Sequence, residues 1–240
     1  MYKRQGLAWA GRDLLVLWDV DYTLVNAGRL GTRMYEAVFR ELFGRDLPAV
    51  APKAGRTDRA IGLDTLALGG IAQPQAHVDD FLAALARRSA VADGTVNVDV
   101  RAMPGASAAI AALAEADACQ SVLTGNVRPL AELKLGLAGL GEHLDLDVGA
   151  YGDVHEVRAK LVPMARQAAR EAYGTDFGGM STVLVGDTSL DVAAALAAGA
   201  RAVAVATGSC SAAELAAAGA HVVLPDLTDA SLVLAAATAS

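Results

Sequence analysis

Cysteine, aromatic side chains and positive charge are all scarce in this chain. The 240 residues include only two cysteines, Cys119 and Cys210. Their separation matches neither zinc-ligand nor redox spacing, which argues against a disulfide-stapled scaffold and favours a reducing, cytoplasmic setting. Lysine and arginine number 20 against 27 acidic residues, giving a net charge of −7 and a pI near 5.0. A chain so short of cations lacks the basic face that phosphate backbones require, so nucleic acid is not an expected partner. No apolar run reaches membrane-spanning length without charge, glycine or proline, so no membrane partner is expected either. Met1-Tyr2-Lys3-Arg4-Gln5 is not followed by an apolar signal region, and residues 1 to about 12 read as a polar leader. The four histidines, His77, His143, His155 and His221, are scattered without metal spacing. Trp9 and Trp18 are expected to fill space at a sheet margin.

Small apolar side chains are abundant instead. Hydrophobic residues make up 54% of the chain and mean hydropathy is +0.36, enough for a sizeable core in one domain or one domain with an insertion. Strand-length apolar runs at 14–18, 121–124, 182–186, 202–206 and 222–224, with a weaker one at 146–150, alternate with helical stretches. Helices are expected at 34–43, 58–68, 76–92, 106–116, 129–137, 156–173, 191–198 and 212–218, with turns at Asp93-Gly94 and Pro104-Gly105. Apolar strands alternating with helices predict an α/β fold, a doubly wound, Rossmann-like parallel sheet covered on both faces. From Asn26 to Val100 only helices are expected. The organisation is therefore read as a core of residues 13–25 and 101–240, interrupted by a helical insertion over 26–100.

The chemistry is concentrated where strands end. The run Leu14–Trp18 leads directly into Asp19-Val20-Asp21-Tyr22-Thr23. Two carboxylates at the tip of a buried strand repel one another and resist desolvation unless a cation compensates them. Hard oxygen donors of this kind suit Mg²⁺. In doubly wound sheets, ligands lie beyond the carboxyl ends of the strands. Thr124-Gly125-Asn126 ends a second strand with a hydroxyl and backbone donors suited to phosphate oxygens. Gly186-Asp187-Thr188-Ser189-Leu190-Asp191 ends a third, with one carboxylate at the strand tip and another in the first helical turn. Helix capping accounts for part of this last segment but not for aspartates gathered at two separate strand ends.

These segments, in this order, resemble the haloacid dehalogenase-like superfamily of hydrolases over about residues 14 to 225. Asp19-Val20-Asp21-Tyr22-Thr23 looks like its first motif, Thr124-Gly125-Asn126 its second, and Gly186–Asp191 its acidic fourth. The insertion is similar to the helical cap of the phosphoglycolate phosphatase and phosphoglucomutase branch, with Gly55-Arg56-Thr57-Asp58 like the cap segment that faces the active site. The resemblance implies an Mg²⁺-dependent phosphatase acting on a small phosphorylated metabolite. Asp19 would be the nucleophile. Asp21 would protonate the leaving oxygen and then activate water. Mg²⁺ would lie among Asp19, the Asp21 main-chain carbonyl, Asp187 and Asp191. Thr124, with Gly125, Asn126 and Thr23, would serve the phosphate, and Arg56 the leaving group.

Two features depart from the family pattern. Tyr22 stands where relatives mostly carry glycine. The third motif's lysine has two stand-ins, Arg158 and Lys160, near the start of the helix expected at 156–173. A phosphosugar mutase would use the same core. A haloacid dehalogenase has no need of Asp21, a phosphonate hydrolase would call on Lys53 as a Schiff-base lysine, and a non-catalytic binding module would have no use for four gathered aspartates.

Overall fold

A computed structural model describes residues 13–92 and 99–239. The leader, Trp9 and the Asp93-Gly94 turn lie outside them. The core is a parallel sheet of five strands among these residues: β1 (Leu15–Trp18), β4 (Cys119–Val122), β5 (Thr182–Gly186), β6 (Arg201–Val205) and β7 (Val222–Leu224), in the order β4-β1-β5-β6-β7. All neighbouring pairs are parallel. Every residue of β1, β4, β5 and β6 is buried, as expected for strands covered on both faces. Successive side chains of one strand enter different cores. Val16, Trp18, Val183 and Val185 join one apolar cluster, and Leu15, Leu17 and Leu184 join the other.

Helix α4 (Ala106–Glu115) and helix α9 (Ala230–Thr238) contribute to the first cluster. Helices α6 (Leu161–Tyr173), α7 (Ser189–Ala197) and α8 (Ala212–Ala217) contribute to the second. Helix α5 (Arg128–Leu137) follows β4 and buries Leu130, Ala131, Lys134 and Leu135. Between β2 (Val25–Asn26) and β3 (Arg101–Ala102) lie α1 (Leu30–Phe43), α2 (Asp58–Leu68) and α3 (Val78–Ala90). The two short strands pair antiparallel, so the chain enters and leaves this helical segment through one two-stranded ribbon. Tyr35, Phe39 and Phe81 of the segment belong to the same apolar cluster as Trp18 of β1.

Several expectations are corrected. Residues 146–150 do not form a strand: Leu146–Val148 is a 3-10 turn, and only Ala150 bridges, in parallel with Leu123. The strand expected at 121–124 lies at 119–122, which leaves Thr124 beyond the sheet. The helix expected from residue 156 is preceded by a 3-10 turn, Arg158–Lys160, and begins at Leu161. Trp18 is not at the margin. It sits fully buried in β1, an interior strand between β4 and β5, its Nε1 donating to Gln120 Oε1 at 3.0 Å.

Candidate active site

Register brings three strand ends to one edge. Trp18 lies between Val122 and Val185, so Asp19, Leu123 and Gly186 follow side by side. Asp19 N donates to Val185 O at 2.8 Å, and Leu123 N donates to Trp18 O at 2.8 Å. Because β1 has β4 on one side and β5 on the other, the strand order switches direction here, where open α/β sheets form their crevices. A cavity of about 510 Å³ opens at this edge, walled by the strand ends on one side and the helical segment on the other.

Asp19, Asp187 and Asp191 form the acidic side. All three are buried, and each offers a carboxylate oxygen within 4.8 Å of the others'. One cation opposes them. Arg158 Nη2 donates to Asp19 Oδ1 at 2.5 Å and lies 2.6 Å from Asp191 Oδ1, while also reaching Leu123 O at 3.1 Å. Burial, only partly offset by Arg158, pushes Asp19 up to about 7, and Asp191 and Asp21 add to the rise. Burial and then the charges of Asp19 and Asp191 push Asp187 up to about 8. Asp191 Oδ2 also accepts from Thr188 N and Oγ1 at 3.0 and 2.6 Å, which completes a capping box at the start of α7. The backbone is cut to fit these groups. A Cβ on Gly208 would lie 1.7 Å from Asp187 Oδ2, and one on Gly186 would lie 2.4 Å from Asp191 Cγ.

Only two residues after Asp19, Asp21 has a different environment. Lys134 Nζ donates to both its carboxylate oxygens, at 2.7 and 2.6 Å, and Asn126 Nδ2 donates to Oδ2 at 2.7 Å. Desolvation opposes ionisation, but Lys134 and Asn126 outweigh it and hold Asp21 below the usual carboxylate range. Lys134 also donates to Asn126 Oδ1 at 2.7 Å. Sequence reasoning missed this lysine, although a signal for it existed. Lys134 falls at helical spacing from Val127, Leu130 and Ala131, so it interrupts the apolar face of α5.

Of the other expected residues, Thr124 is fully buried, and its Oγ1 accepts from Asn126 N and Nδ2 at 3.2 and 2.8 Å. The hydroxyl proton has no described acceptor. Gly125 lies against the helical segment, where a Cβ would come within 1.9 Å of Arg56 O. Thr23 Oγ1 donates to Asp187 Oδ1 at 3.3 Å and does not itself line the cavity. The two candidate cations of the third motif separate: Arg158 is buried in the acidic cluster, whereas Lys160 is exposed and does not line the cavity. Arg56 lines the rim, but its guanidinium is occupied by Asp64 Oδ2 at 2.6 Å, Pro52 O at 3.0 Å and Ala60 O at 3.2 Å. Tyr22 meets the glycine-favoured position by adopting φ 60°, and Thr207 Oγ1 donates to its carbonyl at 2.6 Å.

The helical segment is bonded directly to these strand ends. Thr57 caps α2, and the next residue, Asp58, is buried. Asp58 Oδ2 accepts from Val127 N at 2.7 Å, and Oδ1 accepts from the Tyr35 hydroxyl at 2.7 Å. Asp58 N donates to Gly125 O at 2.6 Å, and Arg59 N donates to Gly152 O at 2.9 Å. Burial pushes Asp58 up to about 6 despite both donors.

The donor set fits a divalent cation. Three buried carboxylates face a single guanidinium, and Asp19 and Asp187 are raised first by burial and then by repulsion from their acidic neighbours, both of which a bound cation would offset. All the donors are hard oxygens, as Mg²⁺ prefers.

A HAD-hydrolase-like family model matches residues 157–230. No curated protein matches the chain by sequence. Among solved structures, a predicted phosphatase from Clostridium acetobutylicum superposes with a TM-score of 0.65 at 18% identity, over 92% of this chain and 98% of that one. A candidate beta-phosphoglucomutase from Bacteroides vulgatus gives 0.62 at 16% identity, over 94% and 90%. CbbY from Rhodobacter sphaeroides, solved with phosphate, gives 0.60 at 21% identity, over 90% and 95%.

Proposed function

We propose, on the premise that the chain has the fold and, over residues 157–230, the sequence pattern of haloacid dehalogenase-like hydrolases, that it is an Mg²⁺-dependent phosphatase of a small phosphorylated metabolite. The observation that carries this reading is the contrast between Asp19 and Asp21. One carboxylate sits in an acidic cluster at the strand tip, and the other, two residues on, is held by Lys134 and Asn126. Asp19 attacks phosphorus and holds the phosphoryl group as an aspartyl-phosphate. Asp19, the Asp21 carbonyl, Asp187 and Asp191 would hold Mg²⁺, which would supply charge neutralisation and Lewis acidity.

The chain's own groups do the rest. Arg158 neutralises Asp19, and its buried Nε, which has no partner among the described residues, is a spare donor for a phosphoryl oxygen. Thr124 offers its free hydroxyl proton, and Asn126 and Gly125 shape the surrounding loop. Asp21, ionised against Lys134, is ready to activate the water that cleaves the intermediate. A phosphoryl dianion entering beside Lys134 weakens that pairing and raises Asp21 toward the protonated form that the leaving oxygen needs. Thr23 orients Asp187. The helical segment over 26–100 acts as a cap that excludes water, with the β2–β3 ribbon as its hinge. Arg56 braces the capping loop at the rim. Two free cysteines accord with a cytoplasmic setting.

Release of phosphate from p-nitrophenyl phosphate tests the reading. Turnover should require Mg²⁺ and stop with EDTA, and activity surviving thorough chelation would refute the metal's role. A phosphosugar mutase is the second reading, favoured by the fold shared with the Bacteroides protein. Supplied with glucose 1-phosphate and a bisphosphate primer, a phosphatase yields only free phosphate, whereas a mutase accumulates the 6-phosphate isomer.

A further inference from the structure

One buried carboxylate beside the cavity has no part in the chemistry above. Asp58 opens α2, and burial of an ionisable group is costly unless hydrogen bonds offset it. The bonds of Asp58 cross to the core. Its Oδ2 accepts from Val127 N at 2.7 Å, and its own N donates to Gly125 O at 2.6 Å. These two bonds grip the peptide groups on either side of Asn126. The grip is anchored in turn, because the Tyr35 hydroxyl of α1 donates to Asp58 Oδ1 at 2.7 Å. The approach is also close, since a Cβ on Gly125 would lie 1.9 Å from Arg56 O. Neighbouring bonds dock the helical segment elsewhere. Thr57 Oγ1 donates to Glu156 O at 3.0 Å and Arg59 N to Gly152 O at 2.9 Å, and of these three residues only Asp58 bonds to both neighbours of Asn126.

Asn126 is the residue so fixed, and both ends of its side-chain amide are in use. Its Nδ2 donates to Asp21 Oδ2 at 2.7 Å, and its Oδ1 accepts from Lys134 Nζ at 2.7 Å. Asn126 therefore orients the carboxylate that handles the leaving oxygen and the ammonium group paired with it. A carboxyl group protonates a leaving oxygen only from within hydrogen-bond reach, so this orientation governs the step.

Resting on the phosphatase reading above, we propose that Asp58 is a positioning residue for the proton relay. By clamping both peptide groups that flank Asn126, it fixes the side chain that orients Asp21 and Lys134. Asp58 belongs to the helical segment and Asn126 to the core, so the relay is in order only while the segment is docked on the strand ends.

Two esters test this, n-propyl phosphate and p-nitrophenyl phosphate. Propoxide must be protonated as it leaves, whereas p-nitrophenolate leaves without a proton. With Mg²⁺ saturating, Asp58→Ala should lower kcat for the propyl ester at least about tenfold more than for the aryl ester. Asp58→Asn keeps an acceptor for Val127 N and should bring the two losses to within about threefold of each other. Equal losses on both esters, no loss on either, or an Asn variant no better than Ala overturns the assignment. Should Asp58→Ala not fold, Tyr35→Phe decides, since it removes only the hydroxyl that anchors Asp58. A loss concentrated on the propyl ester upholds the clamp, and an equal or absent loss overturns it.

Failure to hydrolyse p-nitrophenyl phosphate refutes the phosphatase reading separately. In that case, or where turnover of the propyl ester is too slow to measure, the side-chain amide signals of Asn126 in NMR spectra decide the clamp. Signals that shift or broaden in Asp58→Ala and return in Asp58→Asn uphold it, and signals unchanged in Asp58→Ala overturn it.

Discussion

The two sides of the catalytic edge are built on opposite electrostatic principles, although Asp19 and Asp21 are only two residues apart. On one side three buried carboxylates share a single arginine, and Asp19 and Asp187 are raised to about 7 and about 8. On the other, Lys134 and Asn126 hold Asp21 below its ordinary range, and the positive charge of Lys53 adds to their effect. A continuous strand would put both side chains on one face, but β1 ends at Trp18, and the turn in which Leu24 N and Val25 N donate to Val20 O sends the two carboxylates to different partners. The acidic side suits a cation and a nucleophile. The basic side suits an anionic substrate and a proton relay. A pair of aspartates thus acquires two roles from environment alone.

The largest effect should come from breaking the acidic side at its nucleophile. Asp19→Asn should lower kcat for p-nitrophenyl phosphate by at least about a thousandfold, measured as phosphate released in the presence of Mg²⁺. Removing a ligand should cost somewhat less. Asp187→Asn is expected to weaken Mg²⁺ binding by about ten- to a hundredfold, read by calorimetry, with a matching fall in turnover at fixed Mg²⁺.

On the basic side, Lys134→Met should raise the pKa of Asp21 and move the acid limb of the kcat/KM profile to higher pH, with kcat down by roughly ten- to a hundredfold. An acid limb unchanged in Lys134→Met would mean that the lysine supports packing only.

The pH response of the folded protein sharpens the same contrast. Asp19 and Asp187 have native values raised above their ordinary 3.8. The metal-free fold therefore binds more protons than the unfolded chain, and their contribution to its stability falls as pH rises from about 4 to about 8. Mg²⁺ binds the ionised forms, so the Tm difference between Mg²⁺ and EDTA samples should widen over that range. A difference that stays flat from about pH 5 to about pH 9 would contradict the assignment of these carboxylates.

The smallest effect belongs to Tyr22. Its φ of 60° is a conformation that costs most residues roughly 1–2 kcal/mol, and glycine recovers part of that at an entropic cost. Tyr22→Gly should change stability by less than about 1 kcal/mol, measured by denaturant unfolding.

How much of this was legible in the sequence follows from which signals are local. Strand β5 and helix α2 were expected at the bounds where they occur, because an apolar run and an N-cap followed by a helical apolar face are both local patterns. Asp19, Thr124, Asp187 and Asp191 converge as expected, since parallel strands place their carboxyl ends on one edge. Lys134 escaped notice because a lysine within a helix is ordinary until its face is known to be buried. The Asp58 bonds to Val127 and Tyr35 join segments far apart in sequence, which no local pattern reveals. The β2–β3 ribbon, two residues per strand, is too short to leave a periodic signal. Whether Arg158 or Lys160 faces the site depended on where the helix begins, and the 3-10 turn before Leu161 decided it.

The central claim is that Asp19 accepts the phosphoryl group, and rapid acid quenching during turnover tests it most directly. Peptide mass spectrometry of the quenched wild-type protein should find one phosphoryl group on the peptide containing Asp19, dependent on Mg²⁺ and absent from Asp19→Asn. A phosphoryl group on any other residue, or undiminished phosphate release by Asp19→Asn, would contradict the account.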